Sequence, residues 1–320
     1  MTKRASALAG LALVLVLGST AIGAQPDKKS HRIAWLGPAE NTENLRAFRD
    51  GLRTLGYIEG KNVVIEERYV GQLPLRDVTS GLAKRNFDVI LTDGSAVTSA
   101  VKQAGISVPV VFVSGDPVDR GLVANLSRPG GTMTGLAVFA KELNVKRLEL
   151  LREALPRASR LGVLHEPEHR KAMLPPIEEA ARKLGFRLTL LEVRNASDMP
   201  RAVAAAMKDN VTALMPVSSA LFHAERQRLV ALAAKNGLPA IYENRAFAEA
   251  GGLMSYGPDM SDVFRRAATY VHKIITGTKA ADLPVEQPAR FELIINQKAA
   301  KALGVAIPSS LRLQATQIIE

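Results

Sequence analysis

Five consecutive residues, His165-Glu166-Pro167-Glu168-His169, match the H-E-x-x-H string of zinc proteases. In that chemistry two histidines bind zinc from one face of a helix, and the glutamate between them acts as a base. Here His165 ends a predicted strand, and Pro167 would remove a hydrogen bond inside such a helix. We therefore interpret the match as coincidental and predict no metal site.

Other catalytic patterns are missing from the sequence. No G-x-G-x-x-G follows the first predicted strand, and neither a G-x-x-x-x-G-K-S/T phosphate loop nor a G-x-S-x-G elbow occurs. The carboxylate pairs Glu66/Glu67 and Glu178/Glu179 lie in strand or helix patterns and indicate exposed faces. We predict no catalytic residue and no cofactor. Because catalytic groups can be distant in sequence, an α/β enzyme acting on a small molecule stays an alternative.

The rest of the chain alternates short aliphatic runs with amphipathic helical stretches, as a series of βα units does. The predicted strands are Ile33–Leu36, Val63–Ile65, Val89–Leu91, Val110–Val113, Met133–Leu136, Leu161–Leu164, Leu188–Val193, Ala213–Met215, Ala240–Tyr242 and Leu253–Ser255. The predicted helices are Leu45–Leu55, Arg76–Arg85, Ser95–Ala104, Lys171–Leu184, Ser197–Lys208 and Leu221–Asn236. This alternation predicts parallel sheets with helices on both faces.

The predicted fold class is therefore α/β, with two doubly wound parallel-sheet lobes joined through residues 140–156. A helical pattern (Asp259–Thr276), a strand (Phe291–Ile295) and a short helix (Gln297–Leu303) are left over after the second lobe. These elements suggest that the chain passes back between the lobes through a multi-segment hinge. We predict an N-terminal lobe of residues 30–140 plus 257–288 and a C-terminal lobe of residues 141–256 plus 289–320.

Turns at the carboxyl ends of the strands supply the candidate ligand-binding residues, because ligands of open α/β sheets bind at that edge. The candidates are Gly37, Pro38, Ser95, Ala96, Thr98, Asp116, Pro117 and Leu136 in the first lobe, and Glu166, Ser218, Ser219, Glu243 and Tyr256 in the second.

Two kinds of ligand contact are expected from these candidates. Ser95 and Ala96 open a helix, where backbone N–H groups suit a carboxylate or another anion. The carboxylates of Asp116, Glu166 and Glu243 offer a counter-charge to a ligand ammonium.

Structural roles are open for several of the same residues. Ser95 and Ser218 could be plain helix N-caps, and Asp116 before Pro117 could serve only as a turn former. Tyr256 could pack at the junction of the lobes.

The N-terminus has the pattern of a secretory signal peptide. Lys3 and Arg4 precede an apolar run, Leu8–Leu17, and small residues lead to a predicted cleavage after Ala24. We therefore predict residues 1–24 as a signal peptide. The chain has no cysteine, so it offers neither disulfides nor a thiol for lipid attachment. We expect an exported protein of the periplasm without a lipid anchor.

The formal net charge is +11, which would suit nucleic acid or an anionic membrane if the cations were clustered. Lys and Arg are instead scattered, and aromatic residues make up only 5% of the chain, which argues against base-stacking surfaces. We expect no nucleic-acid partner, and a monomer.

Several strings of the sequence are similar to those of a known family. They are Phe48-Arg49-Asp50-Gly51-Leu52-Arg53, Leu55-Gly56-Tyr57-Ile58-Glu59-Gly60-Lys61-Asn62, Gly115-Asp116-Pro117-Val118, Arg128-Pro129-Gly130-Gly131, Thr134-Gly135-Leu136, Lys146-Arg147-Leu148-Glu149-Leu150-Leu151, Leu238-Pro239-Ala240-Ile241-Tyr242-Glu243, Ala250-Gly251-Gly252-Leu253-Met254-Ser255-Tyr256-Gly257-Pro258, Asp282-Leu283-Pro284-Val285-Glu286-Gln287-Pro288 and Phe291-Glu292-Leu293. From Arg32 onward the chain resembles the bacterial ABC transporter substrate-binding proteins related to the tryptophan/tyrosine-type binding proteins.

The resemblance implies a type I periplasmic-binding fold with three crossovers, which closes on its ligand by hinge motion. It also implies an ABC permease in the inner membrane as partner. As ligand we expect first an amino acid, in particular an aromatic one, with another small carboxylate or a purine-like solute as alternatives. Family members often carry an Asn-Pro turn where this chain has His165-Glu166-Pro167, and the acidic Glu166 favours a ligand with a positive group. A ligand-sensing module for a membrane signalling partner stays an alternative.

Overall fold

The computed structural model of this chain describes residues 30–37, 42–69, 74–138 and 140–320. The predicted signal peptide, residues 1–24, and the candidate Pro38 lie outside the described residues. No helix within the described ranges is long and apolar enough to cross a membrane.

The first lobe is built on a five-stranded parallel sheet in the order β2-β1-β3-β4-β5. Its strands are β1 (His31–Gly37), β2 (Val63–Tyr69), β3 (Val89–Asp93), β4 (Val110–Gly115) and β5 (Met133–Val138). The helices between them are α1 (Thr42–Thr54), α2 (Leu75–Ser80) and α3 (Ser95–Gln103). The strand order reverses direction next to β1, as in other doubly wound sheets.

Side chains of each central strand alternate between two apolar layers, one on each face of the sheet. Ile33 and Trp35 of β1 pack in the layer that includes α1, whereas Ala34 and Leu36 pack in the opposite layer with α2 and α3. All four side chains are fully buried. The near-continuous apolar runs of the sequence follow from this burial of both faces.

The second lobe begins with α4 (Ala140–Ala154), and its sheet follows the order β7-β6-β8 and then β9-β10-β11-β12. A bridge between Leu214 and Ala240 connects the two groups of strands. The strands are β6 (Arg160–His165), β7 (Arg187–Glu192), β8 (Ala213–Pro216), β9 (Ile241–Tyr242), β10 (Met254–Pro258), β11 (Phe291–Asn296) and β12 (Gln317–Ile319). Its helices are α5 (His169–Ala172), α6 (Leu174–Lys183), α7 (Met199–Lys208), α8 (Ala220–Ala224), α9 (Arg226–Lys235), α10 (Arg245–Glu249), α12 (Gln297–Ala302) and α13 (Ser309–Gln314). The remaining helix, α11 (Met260–Ile275), packs in the core of the first lobe.

The chain crosses between the lobes near residue 139, between β10 and α11, and before β11. After β10, α11 returns to the first lobe and packs against α1 so closely that a methyl group on Gly51 would lie 2.8 Å from Cβ of Ala268. Glu286 then forms a bridge with Leu136 of β5 before the chain enters β11. The predicted α/β class with two lobes and a multi-segment hinge is confirmed.

Several predicted elements differ from the observed ones. β10 and β11 are antiparallel, so the second sheet is not purely parallel. The predicted helix Lys171–Leu184 breaks at Met173, where Pro175 and Pro176 cannot supply N–H groups to a continuous helix. The predicted helix Leu221–Asn236 breaks at Glu225.

The segment 140–156, predicted as the connection between the halves, is mostly the 15-residue helix α4 of the second lobe. Elements α13 and β12 near the C-terminus were not predicted. The lobe boundaries themselves stay a prediction.

Gly257 marks the tightest approach in the second sheet and gives a test of this packing. A Cβ at this position would lie 1.9 Å from the carbonyl oxygen of Glu243, so we expect Gly257→Ala to lower the free energy of unfolding by about 2–4 kcal/mol. Denaturant unfolding measures the change. The control is Gly81→Ala, which meets only a guanidinium nitrogen of Arg68 at 3.4 Å, and an equal loss in both variants would contradict the expectation.

Candidate functional site

The carboxyl ends of the two sheets face each other between the lobes. Burial is the main cause of the lowered pKa of His169 on α5, and the charge of Arg120, in the loop after β4, also lowers this pKa. Hydrogen bonds with Glu292 are the main cause of the raised pKa of Arg245 on α10, and the charge of Glu43, in the first turn of α1, also raises this pKa. Charges of one lobe therefore lie within interaction range of charges of the other.

Asp93, the last residue of β3, brings a partly exposed carboxylate to this cleft. Its Oδ2 accepts a hydrogen bond of 3.1 Å from Nδ2 of Asn44 on α1. Burial raises the pKa of Asp93 to about 6, although the hydrogen bond from Asn44 and the charge of His223 in the second lobe both oppose the increase. In the described part of the chain this carboxylate has no salt bridge to Lys or Arg.

The start of α3 is joined to the end of β4 through the hydroxyl of Ser95. Ser95 Oγ accepts hydrogen bonds from N of Gly115 at 2.9 Å and from Oγ of Ser114 at 3.0 Å. The next residue, Ala96, is exposed, and the N–H groups of a first helical turn have no acceptor within the helix. The anion-binding role of Ser95 and Ala96 stays a prediction, and it depends on these backbone groups.

Thr98 is fully buried one turn into α3. Its Oγ1 donates to the carbonyl oxygen of Gly94 at 2.7 Å and lies 2.8 Å from Oγ1 of Thr92, so the hydroxyl stabilises the β3–α3 turn. The ligand-binding assignment of these first-lobe residues stays a prediction. The other buried candidates of this lobe are Gly37, Pro117 and Leu136.

Asp116 follows β4 with φ at +45°, in the left-handed region, and is only 7% exposed. Its Oδ2 has no hydrogen-bond partner among the described residues. Burial raises the pKa of Asp116, and nearby Lys141 and Arg120 oppose this increase, whereas Glu142 and Asp119 add to it. A left-handed backbone and an unpaired buried carboxylate are both costly, which is typical of a functional position.

The guanidinium of Arg147 on α4 holds three strand ends of the second lobe together, and the residue is 2% exposed. Nε donates to the carbonyl oxygen of Tyr256 at 2.7 Å, and Nη2 to that of Glu243 at 3.3 Å. Nη1 donates to Oδ1 of Asn144 at 2.7 Å and to Oγ of Ser218 at 3.1 Å. Burial lowers the pKa of Arg147 to about 10, against the raising effects of Glu243 and Tyr256, so the group stays charged at neutral pH.

The two serines after β8 have different roles. Oγ of Ser219 caps α8 by accepting from N of Phe222 at 3.0 Å, and Ser219 also forms a hydrogen bond with the carboxylate of Glu166. Burial raises the pKa of Glu166, and the Ser219 hydrogen bond opposes the increase. Ser218 instead accepts from Arg147, and α3 is capped by Gly94, so neither Ser95 nor Ser218 is a helix cap.

The H-E-x-x-H string forms a turn rather than a helical zinc site. His165 Nδ1 lies 3.0 Å from the carbonyl oxygen of Glu166, and Nδ1 of His169 accepts from N of Glu166 at 3.2 Å. Ligand atoms of Glu166, Glu168 and His169 do lie within 4.8 Å of one another. However, Nδ1 of His169 accepts the N–H of Glu166, so the proton of a neutral His169 lies on Nε2. Neither ring nitrogen therefore offers a free lone pair to a metal.

Glu243 and Tyr256 complete the second-lobe side of the cleft. Oε1 of Glu243 lies 3.9 Å from Nδ1 of His223, which is also 3.3 Å from Nδ2 of Asn244. The ring of Tyr256 stacks on Phe291 with centroids 6.2 Å apart and planes 17° apart. The ring therefore packs where the chain re-enters the second lobe.

A cavity of about 290 Å³ lies next to this aromatic pair, where segments cross between the lobes. It is lined by Glu142 and Leu143 at the start of α4, and by Gln287, Pro288 and Phe291. Movement of the lobes would change the shape of this cavity, because its walls come from two of the crossing segments.

Three residues of the site were not singled out from the sequence: Asp93, Asn144 and Arg147. The spacing of Leu143, Leu150 and Ala154 would have placed Arg147 on the apolar face of a helix, and a charged residue on such a face indicates a buried polar contact. Asp93 comes two positions after the apolar run Val89–Leu91, and the sequence alone does not distinguish it from a residue that only forms a turn.

Comparison with known proteins identifies related chains. Residues 38–319 match the family described as ABC transporter substrate binding protein. The tyrosine-binding protein of Clostridioides difficile is 23% identical over 266 residues, which cover 81% of this chain and 76% of that protein.

Solved structures show the same fold. A conserved domain protein from Vibrio cholerae superposes with a TM-score of 0.84 at 24% identity, over 91% of this chain and 100% of that one. The ABC domain from Streptococcus pneumonia in complex with L-Trp superposes with a TM-score of 0.83 at 22% identity and the same coverage.

Removal of the Arg147 guanidinium should destabilise the protein strongly. We expect Arg147→Met to lower the free energy of unfolding by about 2–5 kcal/mol, because buried carbonyl and side-chain acceptors lose their donor. The control is Lys146→Met on the exposed side of the same helix, which loses only a surface pair with Glu149 and should cost less than about 1 kcal/mol. Denaturant unfolding of both variants checks this, and similar small losses would contradict the buried role of Arg147.

Asp93 should destabilise the ligand-free protein at neutral pH. Its pKa of about 6 lies above the ordinary 3.8, so the folded state binds the proton more tightly, and ionisation above about pH 6 opposes folding. We expect Asp93→Asn to raise the free energy of unfolding by about 1–3 kcal/mol near pH 7.5, and by less as the pH falls towards 4. Unfolding curves across this pH range measure the difference, and a pH-independent effect would argue against the raised pKa.

Proposed function

The chain belongs to the ABC transporter substrate-binding protein family, and from this we propose that it captures an amino acid between its lobes and delivers it to an ABC permease in the inner membrane. The observation that carries the proposal is the convergence of polar groups from both sheets on one cleft. Asp93 and Ser95 lie at strand ends of the first lobe, and Glu166 and Glu243 at strand ends of the second. The charge of His223 acts on Asp93 across this cleft.

The groups at the cleft fit the two charged ends of an amino acid. Backbone N–H groups at Ser95 and Ala96 would hold the carboxylate. The carboxylates of Asp116, Glu166 and Glu243 would hold the ammonium. The related tyrosine-binding protein and the L-Trp complex support an amino acid as the class of ligand. Another small carboxylate would use the same N–H groups but would leave the acidic residues without a partner.

Ligand capture would work by a shift between open and closed arrangements of the lobes. A ligand that contacts both lobes binds the closed arrangement more tightly than the open one. The difference between its binding free energies for the two arrangements is the only energy that the ligand contributes to closure. The three crossings near residue 139, between β10 and α11, and before β11 form the hinge. The permease would then recognise the closed form.

The same proposal includes export. The basic residues, apolar run and small residues of segment 1–24 support a signal peptide cleaved after Ala24, and the absence of cysteine supports a protein without a lipid anchor. The site of action would then be the periplasm. We also propose that the protein acts as a monomer.

A thermal-shift screen tests the proposal. The protein without residues 1–24 is unfolded and refolded to remove carried-over ligand, and is then heated with amino acids, small carboxylates or nucleobases. A micromolar ligand at millimolar concentration adds about 4 kcal/mol to the free energy of unfolding, which gives a clear shift. A shift with amino acids supports the proposal, and a flat screen on a folded protein contradicts it.

A pair of variants tests where the ligand binds. Glu166→Gln should weaken binding of the amino acid found in the screen by about tenfold, because a half-buried carboxylate that pairs with the ligand is lost. Glu168→Gln removes an exposed carboxylate of the same turn and should leave the affinity within about twofold. Calorimetric titration measures both, and equal affinities would place the ligand away from Glu166.

A further inference from the structure

The strand ends of the cleft carry more negative charge than an amino-acid ammonium requires. Four carboxylates lie there: Asp93 ends strand β3, and Asp116, Glu166 and Glu243 follow strands β4, β6 and β9. In a chain with a net charge of +11, an acidic cleft is not the result of overall composition.

These carboxylates have few cationic partners within the described ranges. Asp93 accepts only from the Asn44 amide, and Glu166 is bonded to the Ser219 hydroxyl. The nearest ion-pair partner of Glu243 is His223, at 3.9 Å. None of these three carboxylates forms a salt bridge with a Lys or Arg of the described residues.

Between residues 30 and 320, the segments outside the described part supply no cation to these carboxylates. Positions 38–41, 70–73 and 139 contain no Lys or Arg, and position 40 is a further glutamate. Whatever their positions, these residues cannot neutralise the acidic side chains.

The one buried cation at the second-lobe strand ends is already engaged. The N–H groups of Arg147 donate to the carbonyl oxygens of Tyr256 and Glu243 and to the side chains of Asn144 and Ser218. The charge of Arg147 does act on Glu243, which raises the pKa of the guanidinium. It offsets one of the four negative charges at most.

Asp116 is an independent sign of a ligand contact at these strand ends. The residue is more than nine-tenths buried, yet its Oδ2 has no hydrogen-bond partner in the part of the chain that the structure describes. Lys141 lies near enough to act on Asp116, but its ammonium is bonded to Asp119. Arg120 also lies near but is exposed. A buried acceptor of this kind is costly unless another donor reaches it.

We infer that the solute carries a net positive charge, so that it is a basic amino acid or a related diamine or guanidino compound. Its second cationic group would lie between Asp93 of the first lobe and Glu243 of the second. This rests on the proposed function and specifies its ligand. Glu243 lies 3.9 Å from His223, whose charge also acts on Asp93 of the other lobe, so both carboxylates border the same part of the cleft. The charge of a cation there would oppose the effect of desolvation, which raises the pKa of Asp93.

The test uses pairs of probes that differ in charge but hardly in shape. L-arginine is compared with L-citrulline and L-lysine with L-norleucine, and agmatine, putrescine, L-tryptophan and L-tyrosine complete the set. Calorimetric titration of the refolded protein gives each affinity. We expect the cationic member of at least one pair to bind about tenfold or more tightly than its neutral counterpart.

Two variants locate the charge preference. Asp93→Asn and Glu243→Gln should each reduce the preference for the cation about tenfold while changing the binding of neutral amino acids much less. Asp50→Asn is the control, because it removes an exposed carboxylate paired with Arg53 on α1, far from the strand ends. Circular dichroism confirms that each variant is folded.

The outcomes separate this inference from the proposed function. If neutral amino acids bind as tightly as their cationic counterparts, the inference is wrong and the proposed function stands. If every cationic probe fails while a neutral or anionic solute binds, the inference is wrong as well. If no probe binds to the folded protein, both the inference and the amino-acid assignment are overturned.

Discussion

The buried guanidinium of Arg147 is the constraint on which the geometry of the second-lobe strand ends depends. Removing a charge from water costs several kcal/mol, and this cost is offset only where oxygen acceptors surround the group. Its acceptors include the carbonyl oxygens of Tyr256 and Glu243 and the hydroxyl of Ser218. These groups meet only when α4 and three neighbouring strands have their native spacing. Because α4 also begins where the chain leaves the first lobe, one helix couples the hinge to the cleft.

Opposite the hydrogen-bonded guanidinium of Arg147, the first lobe presents carboxylates that lack comparable hydrogen-bond partners. Asp93 has a raised pKa, and Asp116 combines a left-handed backbone with an unpaired oxygen. Both features cost stability in the ligand-free protein, and a protein can retain such features where they serve binding. The stability that the first lobe lacks at this edge is supplied elsewhere, by two apolar layers and by the close packing of α11 on α1.

Periodicity in the sequence was sufficient to place most strands, because a parallel strand buried on both faces is a short apolar run bounded by turn residues. It was insufficient for helix boundaries. The break at Met173 precedes Pro175 and Pro176, which cannot supply N–H groups to a continuous helix, whereas no proline or glycine marks the break at Glu225. Helix α4 was missed because the polar residues on its apolar face, Asn144 and Arg147, weaken the periodic pattern.

The sequence by itself determined the α/β class, the two lobes and the edge of each sheet where a ligand would bind. These properties follow from the order of strands and helices, since parallel strands bring their carboxyl ends to one edge. Which of the turn residues share a cleft was decided only by tertiary structure. The charge of His223 acts on Asp93, 130 positions away in the sequence, and Arg147 donates to the carbonyl oxygen of Glu243, 96 positions away. Such contacts depend on how the lobes and helices pack, and hydrophobic periodicity carries no information on the pairing of individual polar groups.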